Sequence, residues 1–303
     1  MKTLKIAMVL LAAGVCLAGC KTRKENEGCT KVLMIGNSFS ICLMNHLPQV
    51  AADRGVDLDI ASLYIGGCSL KRHWENVQKD GVEGEEEFKP YSFWRNIRGK
   101  SSQRKINICD ALRMEQWDIV TVQQASHESW KPGSYQPYGD LLIAKIRELA
   151  PKAKIYVQET WSYTPWDKRL ERWGIGQDEM YEKLHEAYGA FAKKHGLEII
   201  PFGTAVQAWR KRLPVKYTDR SFGGDVVGGG KQEERDHFKR GADNKWTPNC
   251  DVFHLGRKGE YFQALVWARK LFDAELDGLD YRPDFVTEDE AKLMREIAIE
   301  VND

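Results

Sequence analysis

The chain has 303 residues, of which 42% are hydrophobic and 29% are charged, and its formal net charge at pH 7 is +1. This hydrophobic content is sufficient for a sizeable core, whereas the balanced charge argues against a basic nucleic-acid-binding protein or a polybasic membrane surface. Beyond the first twenty residues, no segment approaches the length of a transmembrane helix.

The N-terminus has the composition of an export signal. Two lysines precede a short apolar run that ends in Leu17-Ala18-Gly19-Cys20, which resembles the lipobox of bacterial lipoproteins. The resemblance implies that residues 1–20 are a lipoprotein signal peptide and that Cys20 carries the lipid. We therefore expect an exported protein, anchored to a bacterial membrane at its periplasmic or cell surface, with a plain secretory signal as the alternative.

Five apolar stretches predict β-strands, and helical patterns lie between them. The predicted strands are residues 31–36, 57–64, 117–124, 154–158 and 197–202. This alternation predicts an α/β, doubly wound parallel sheet with helices on both faces, and right-handed crossovers favour the five-stranded order 2-1-3-4-5. Ligands of such sheets bind beyond the C-terminal ends of the strands, where Ser38 directly follows the first strand.

The remainder of the chain predicts one domain. Residues 21–30 are polar and read as a tether, and residues 31–303 form a single domain with two interruptions of the strand–helix alternation. These interruptions, near residues 72–108 and 203–250, are interpreted as loops or insertions over the active edge of the sheet, the second beginning with a helix.

Two short motifs at opposite ends of the domain could form a catalytic set. Ser38 lies in Gly-Asn-Ser-Phe-Ser after the first strand, and Asp251 and His254 are three residues apart near the C-terminus. That spacing allows the carboxylate to orient one ring nitrogen while the other faces a nucleophile. A serine after a strand is by itself more often a helix cap, so the argument rests on the joint occurrence of the three residues.

These motifs, together with a Gly-Gly block after the second strand, resemble the SGNH (GDSL-like) hydrolase superfamily, and in particular a Bacteroidetes-type lipoprotein branch of it. The resemblance implies a flavodoxin-like fold and esterase activity. It also implies that Ser38 is the nucleophile, that Asp251 and His254 complete the triad, and that Gly67 offers its backbone N–H to the oxyanion, with Gly66 as the alternative.

The third block of the superfamily, Gly-x-Asn-Asp, is replaced here by Val-Thr-Val-Gln-Gln-Ala-Ser. Carbohydrate acetylesterase branches carry a glutamine at this place, which makes Gln124 the expected third oxyanion donor. Gln123 is the alternative, because alternate residues of a strand face opposite ways. Asn37 stands where the superfamily usually has an aspartate, a change that spares the nucleophile.

Residues near the predicted active edge are candidates for substrate contacts. They are Trp161, Tyr163 and Trp166 after the fourth strand, together with His127 and Glu159. Aromatic rings stack on sugar rings but also fill cores, and Glu159 could equally pair with an arginine.

The sequence thus predicts an extracytoplasmic serine esterase that removes O-acetyl or other short acyl groups from carbohydrate. No cofactor and no metal are expected, and membrane contact is expected through the lipid anchor alone. One alternative is a lipid esterase or thioesterase of the same fold. Another is a non-catalytic, glycan-binding surface lipoprotein, which the altered third block favours.

Overall fold

The computed structural model describes residues 28–80, 82, 87–212, 223–228, 238–240, 246–248 and 251–303. The predicted signal peptide with Cys20, most of the predicted tether and much of the 203–250 segment lie outside these residues. Among the helices of the described ranges, none is both long and apolar enough to cross a membrane.

A seven-stranded sheet forms the centre of the protein, in the order β4-β3-β2-β1-β5-β6-β7. Its strands are β1 (Thr30–Gly36), β2 (Leu58–Tyr64), β3 (Tyr91–Ile97), β4 (Lys100–Ile106), β5 (Ile119–Val122), β6 (Lys154–Gln158) and β7 (Glu198–Ile200). Strands β1, β2, β5, β6 and β7 pair in parallel. Strands β3 and β4 pair antiparallel, as a hairpin added beside β2.

The α/β class and the mainly parallel sheet are confirmed, but the predicted sheet is wrong in strand count and in its full order. The five parallel strands lie in the order β2-β1-β5-β6-β7, and the two additional strands come from residues 72–108, which the sequence pattern indicates as loops or an insertion. Strand β4 escapes a pattern search because nearly all of it is exposed. A strand with no buried face shows no apolar alternation.

Ten helices surround the sheet: α1 (Ser38–Ile41), α2 (Leu47–Asp53), α3 (Leu70–Lys79), α4 (Ile108–Arg113), α5 (Tyr138–Leu149), α6 (Lys168–Trp173), α7 (Gln177–His195), α8 (Phe202–Arg212), α9 (Arg257–Phe272) and α10 (Glu288–Glu300), as far as the chain is described. Short 3₁₀ turns occupy Cys42–Asn45 and Pro132–Ser134, and β8 (Phe238–Arg240) pairs with β9 (Trp246–Pro248). Helices α3, α4 and α5 pack together on one face, and α2, α8, α9 and α10 on the other.

Helix α9 anchors the C-terminal part of the site. Its residues from Tyr261 to Ala268 are all fully buried, as expected of a helix enclosed by neighbours on every side. Helix α10, which packs against it, begins at a capping box in which Thr287 and Glu290 bond each other's backbone N–H groups. The segment before α9, which carries Asp251 and His254, is therefore fixed at its C-terminal end by the buried helix α9.

Candidate active site

Ser38 lies at the first turn after β1, and three neighbouring segments hold that turn. The Asn37 side chain caps α1 by accepting from the Phe39 N–H at 3.0 Å, and it donates to the carbonyl of Cys68 at 3.1 Å. Gln123, at the end of β5, donates to Asn37 Oδ1 at 2.7 Å. Asn37 thus joins the loop after β2 and the end of β5 to the residue that precedes the serine.

The turn leaves no room for a side chain at Gly36. A Cβ there would lie 2.5 Å from Ser40 Oγ and 3.1 Å from Gln123 Cδ. The glycine before Asn37 is therefore required by close packing, and it allows β1 to run straight into α1.

Ser38, His254 and Asp251 form a hydrogen-bonded chain. Asp251 Oδ2 lies 2.5 Å from His254 Nδ1, which places the ring proton on Nδ1 and leaves Nε2 to accept from Ser38 Oγ at 2.7 Å. Asp251 Oδ1 accepts from the N–H groups of Phe253 and His254 at 2.9 and 2.8 Å. Partial burial alone would raise the pKa of Asp251, but these hydrogen bonds outweigh it and hold the pKa below its ordinary value.

Donors from other loops hold the backbone around His254. The Trp161 indole N–H donates to the Phe253 carbonyl at 2.8 Å, and the Thr164 hydroxyl donates to the Val252 carbonyl at 2.8 Å. The Gly228 N–H donates to the His254 carbonyl at 2.8 Å. Three successive carbonyls of this turn are thus bonded to residues that follow β6 or α8, so the imidazole position does not depend on α9 alone.

Aromatic stacking joins this turn to the nucleophile helix. The Phe39 ring lies on the Trp161 ring with centroids 4.0 Å apart and planes at 9°, and it meets the His254 ring edge-on at 5.4 Å. The Phe39 carbonyl accepts from Gln158 and Gln263, both at 2.9 Å. A displacement of Trp161 would consequently affect both partners of the Ser38–His254 hydrogen bond.

A buried ion pair fixes the segment that carries Gly228. Arg210 of α8 donates to Asp225 at 2.9 Å, and the side chains are only 5% and 0% exposed. Two residues further on, Val227 forms an antiparallel bridge with Leu255, and the Gly256 N–H donates to the Val226 carbonyl at 2.9 Å. The Arg210–Asp225 pair thus holds residues 225–228 against residues 254–256 and helps to fix the position of His254.

Gly67, the expected backbone oxyanion donor, lies in the loop after β2 with a φ of +59°, a conformation that favours glycine. The adjacent Cys68 is the residue that Asn37 binds, which brings this loop to the Ser38 turn. No acceptor in the described part of the chain is bonded to the N–H of Gly67 or of Ser38.

Gln124 does not fit the role of third oxyanion donor. Its amide nitrogen donates to the carbonyl and the hydroxyl of Ser134, at 2.9 and 3.0 Å, which uses both hydrogens. Its oxygen accepts from the N–H groups of Leu70 and Ala125, at 3.0 and 2.9 Å. These four bonds tie β5 to the start of α3 and to the loop after β5. Gln123 instead faces the Ser38 turn, and within the described part of the chain its amide nitrogen makes one hydrogen bond, to Asn37.

Two further residues expected to contact substrate have other surroundings. Glu159 is fully buried and accepts from the N–H and hydroxyl of Thr204 and from His185, at 2.6, 2.9 and 2.7 Å. It therefore caps the start of α8, and its hydrogen bond raises the pKa of His185. His127 is half-buried beside Glu128, burial lowers its pKa, and it lines a cavity of about 330 Å³ with Gln124.

The aromatic residues after β6 pack inward. Trp161 and Tyr163 are fully buried, and the Tyr163 hydroxyl is bonded to Ser126 at 2.8 Å. The Arg169 guanidinium lies over both the Tyr163 and Phe253 rings, 4.2 and 4.1 Å from their centroids. Trp166 is half-buried in the same loop. For Trp161 and Tyr163 the expectation of an exposed sugar platform is thus corrected, because their rings support the histidine turn.

The cavity that opens at the Ser38–His254 pair has a volume of about 510 Å³. Its apolar wall is formed by Ile41, Met44, Trp94 and Leu255, and its polar wall includes Asn45, Ser101 and Glu260. Neither Trp94 nor Ser101 was among the predicted substrate contacts. The alternation in Tyr91-Ser-Phe93-Trp-Arg, with Tyr91 and Phe93 buried, was the pattern that could have placed Trp94 on the other face of a strand.

The comparisons agree with this architecture. The family described as Domain of unknown function (DUF4886) matches residues 31–222. A crystal structure of a DUF4886 family protein from Bacteroides uniformis is 26% identical, with a TM-score of 0.73, and covers 90% of this chain and 95% of that one.

More distant solved structures also match. The family 3 carbohydrate esterase of Clostridium thermocellum is 10% identical, with a TM-score of 0.44, over 81% of this chain and 96% of that one. The lipase/acylhydrolase of Enterococcus faecalis is 12% identical, with a TM-score of 0.44, over 81% and 97%. No curated protein matches the chain.

Proposed function

The chain belongs to the DUF4886 family, and we propose that it acts as an extracytoplasmic serine esterase that removes short acyl groups from carbohydrate. The observation that carries this proposal is the chain of contacts from Asp251 through His254 to Ser38, with distances of 2.5 and 2.7 Å. A nucleophile, a base and an orienting acid in this order are the parts that acyl transfer by a serine requires.

In the proposed reaction, Ser38 Oγ attacks the ester carbonyl while its proton passes to His254 Nε2. The imidazolium that forms is stabilised by the Asp251 carboxylate, which the turn keeps ionised. His254 then returns the proton to the leaving alcohol, which leaves the acyl group on Ser38. Water repeats the sequence with His254 as base, releasing the carboxylic acid and restoring the serine hydroxyl.

The N–H groups of Ser38 and Gly67 are the proposed donors to the oxyanion. Both belong to segments joined by Asn37, so the contacts that fix the nucleophile also fix these donors. Gln123, which reaches the same turn, is the proposed third donor in place of Gln124. Loss of one such donor typically costs about 3–4 kcal/mol of transition-state stabilisation.

The lining of the cavity supports a carbohydrate ester. Asn45 donates to Glu260 at 2.8 Å in its lining, and the Trp94 side chain lines the same cavity. Polar groups beside an aromatic ring suit a sugar, which presents hydroxyls at its edge and C–H bonds on its face. The export and lipid anchor proposed for the chain rest on the sequence of residues 1–20 and place such a substrate outside the cytoplasm.

The test is hydrolysis of p-nitrophenyl acetate and butyrate by the purified protein and by Ser38→Ala. We expect the substitution to reduce kcat by about 10⁴-fold or more, because the triad acts as a unit. Ser102→Ala, an exposed serine on β4 that lies outside the cavity lining, is the matched control and should retain activity. Equal turnover by the wild type and Ser38→Ala would contradict the proposal, and butyrate strongly preferred over acetate would favour the lipid-esterase alternative.

A further inference from the structure

A second cavity lies along the same hairpin as the catalytic cavity. It has a volume of about 480 Å³ and is lined by residues of α2, including Pro48 and Ala52, and by the turn of the β3–β4 hairpin, including Asn96 and Gly99. Each of the two cavities is within the range of about 300–1,000 Å³ that is usual for small-ligand sites. Neither the triad nor the oxyanion donors use the second cavity.

The two cavities are lined by neighbouring residues on both sides. On the helical side, the lining of the catalytic cavity reaches Asn45 and that of the second cavity starts at Pro48, three residues further along the chain. On the hairpin side, Ser101 lines the first cavity and Asn96 the second, and Asn96 donates to Ser101 at 3.2 Å across a β-pair. We call the two cavities together the hairpin groove, whose lining extends from Ser38 past Trp94 and Asn96 to Gly99.

The length of the hairpin groove exceeds one sugar. Trp94 and Ile97 are three positions apart on β3, which corresponds to about 10 Å of extended chain, and the turn at Arg98 and Gly99 lies beyond them. The groove therefore offers space for a polymer that extends away from the ester under attack. A single acetylated sugar at Ser38 would leave the second cavity empty.

The far cavity has a mixed lining, in which Val56 and Leu58 lie beside polar groups. The polar groups include the side chains of Gln49 and Asn96 and the ion pair in which Arg98 donates to Asp57 at 2.9 Å. Burying these groups beneath a hydrocarbon chain would remove their water without providing new hydrogen-bond partners, which is costly. A carbohydrate supplies such partners through its hydroxyl groups.

We propose that the hairpin groove is a binding site for the neighbouring sugars of an acylated oligosaccharide or polysaccharide, so that the enzyme acts on chains rather than on single acylated sugars. This inference rests on the proposed esterase function for its substrate class. The β3–β4 hairpin then determines specificity, while the parallel strands carry the catalytic residues.

The test blocks the far cavity without touching the catalytic one. Ala52 is an exposed residue of α2 that lines only the second cavity, so Ala52→Trp would fill it with a bulky ring. Ser102→Trp is the matched control: Ser102 is equally exposed, pairs with Arg95 on the face of β4 opposite to Ser101, and lines neither cavity. The probes are acetylated derivatives of xylose and mannose, each supplied as the monosaccharide and as the β-1,4-linked hexasaccharide.

For the wild type and for Ser102→Trp we expect kcat/KM on a hexasaccharide to exceed that on the matching monosaccharide by about tenfold or more. In Ala52→Trp this ratio should fall to about one. Equal kcat/KM on the two chain lengths for every probe in the wild type, or an unchanged ratio in Ala52→Trp, would overturn the proposal. If kcat/KM instead rises with the acyl length of p-nitrophenyl esters, and Ala52→Trp removes this rise, the groove binds an acyl chain. That result would also overturn the proposal.

Binding to the Ser38→Ala variant separates this proposal from the proposed reaction. Calorimetry of Ser38→Ala with the two chain lengths should show tighter binding of the hexasaccharide, and the added Ala52→Trp change should abolish that difference. If no ester is hydrolysed but the hexasaccharide binds more tightly and Ala52→Trp removes the difference, the esterase proposal fails and the groove proposal is supported. If esters are hydrolysed but the difference is missing, the groove proposal fails alone.

Discussion

Substitution of Trp161 by phenylalanine tests whether this residue positions the catalytic histidine. The Trp161 indole N–H donates to the Phe253 carbonyl at 2.8 Å, and its ring stacks on Phe39 at 4.0 Å. Phenylalanine can preserve the stacking but cannot donate the hydrogen bond. The change therefore isolates the bond that holds the carbonyl next to His254.

The magnitude follows from the burial of the site. Leaving a buried carbonyl without its donor costs about 1–3 kcal/mol, and Trp161 itself is fully buried. If this cost appears in the transition state, because His254 no longer stays aligned with Ser38, kcat falls by about 5- to 150-fold. The KM for p-nitrophenyl acetate should change little, since Trp161 does not line the cavity at Ser38.

The assay compares kcat, KM and urea unfolding for the wild type, Trp161→Phe and Thr164→Val. Thr164→Val removes the parallel hydroxyl bond to Val252, and the double variant measures the coupling between the two bonds. A kcat for Trp161→Phe within twofold of the wild type would refute the positioning role. A raised KM for acetylated oligosaccharide with an unchanged kcat would instead indicate a contact with substrate.

Two further predictions concern buried charge and buried histidine. Arg210→Leu removes the guanidinium beside the buried Asp225 carboxylate, and we expect the free energy of unfolding in urea to fall by about 3–5 kcal/mol; a loss below about 1 kcal/mol would contradict the ion pair's role. Burial lowers the pKa of His46 to about 4 and that of His73 to about 3. Between these values and about 6.5 the unfolded chain binds protons that the folded chain does not, so stability falls as the pH is lowered, by up to about 1.4 kcal/mol per pH unit for each histidine. Urea unfolding at about pH 7 and about pH 5 measures this slope, His73→Gln should make it shallower, and a stability that does not change over this range would disprove the assignment.

The parts of the site that were predictable from the sequence are those with local geometry. Asp251 reaches both the backbone N–H of His254 and its ring within a single turn, so a spacing of three residues is enough to indicate the pair. Likewise, Ser38 follows a short apolar run that indicates a buried strand, which the structure confirms. Such arrangements depend on residues that are close together in the chain.

The parts that could not be predicted depend on distant partners. The Gln124 side chain is directed by the N–H of Leu70, which is 54 residues away in sequence. Trp161 is bonded to Phe253, which lies 92 residues further along the chain. A contact over this separation cannot be read from the local sequence. Composition and periodicity identify an aromatic residue near the active edge but do not show what covers it.

The strand order places the residues that hold the His254 turn and the hairpin that lines the groove on opposite sides of β1. The donors to the His254 turn follow β6 and α8, on one side of β1, whereas the β3–β4 hairpin is attached to β2, on the other side. Changes in the hairpin can therefore alter the groove without displacing the histidine, because no bond to the turn's three carbonyls comes from it. Conversely, changes at Trp161 or Arg210 should alter turnover of every ester alike. If the proposed reaction holds, we expect substrate preference and turnover to vary independently, and a variant that shifted both together would show that the two sides of β1 are coupled.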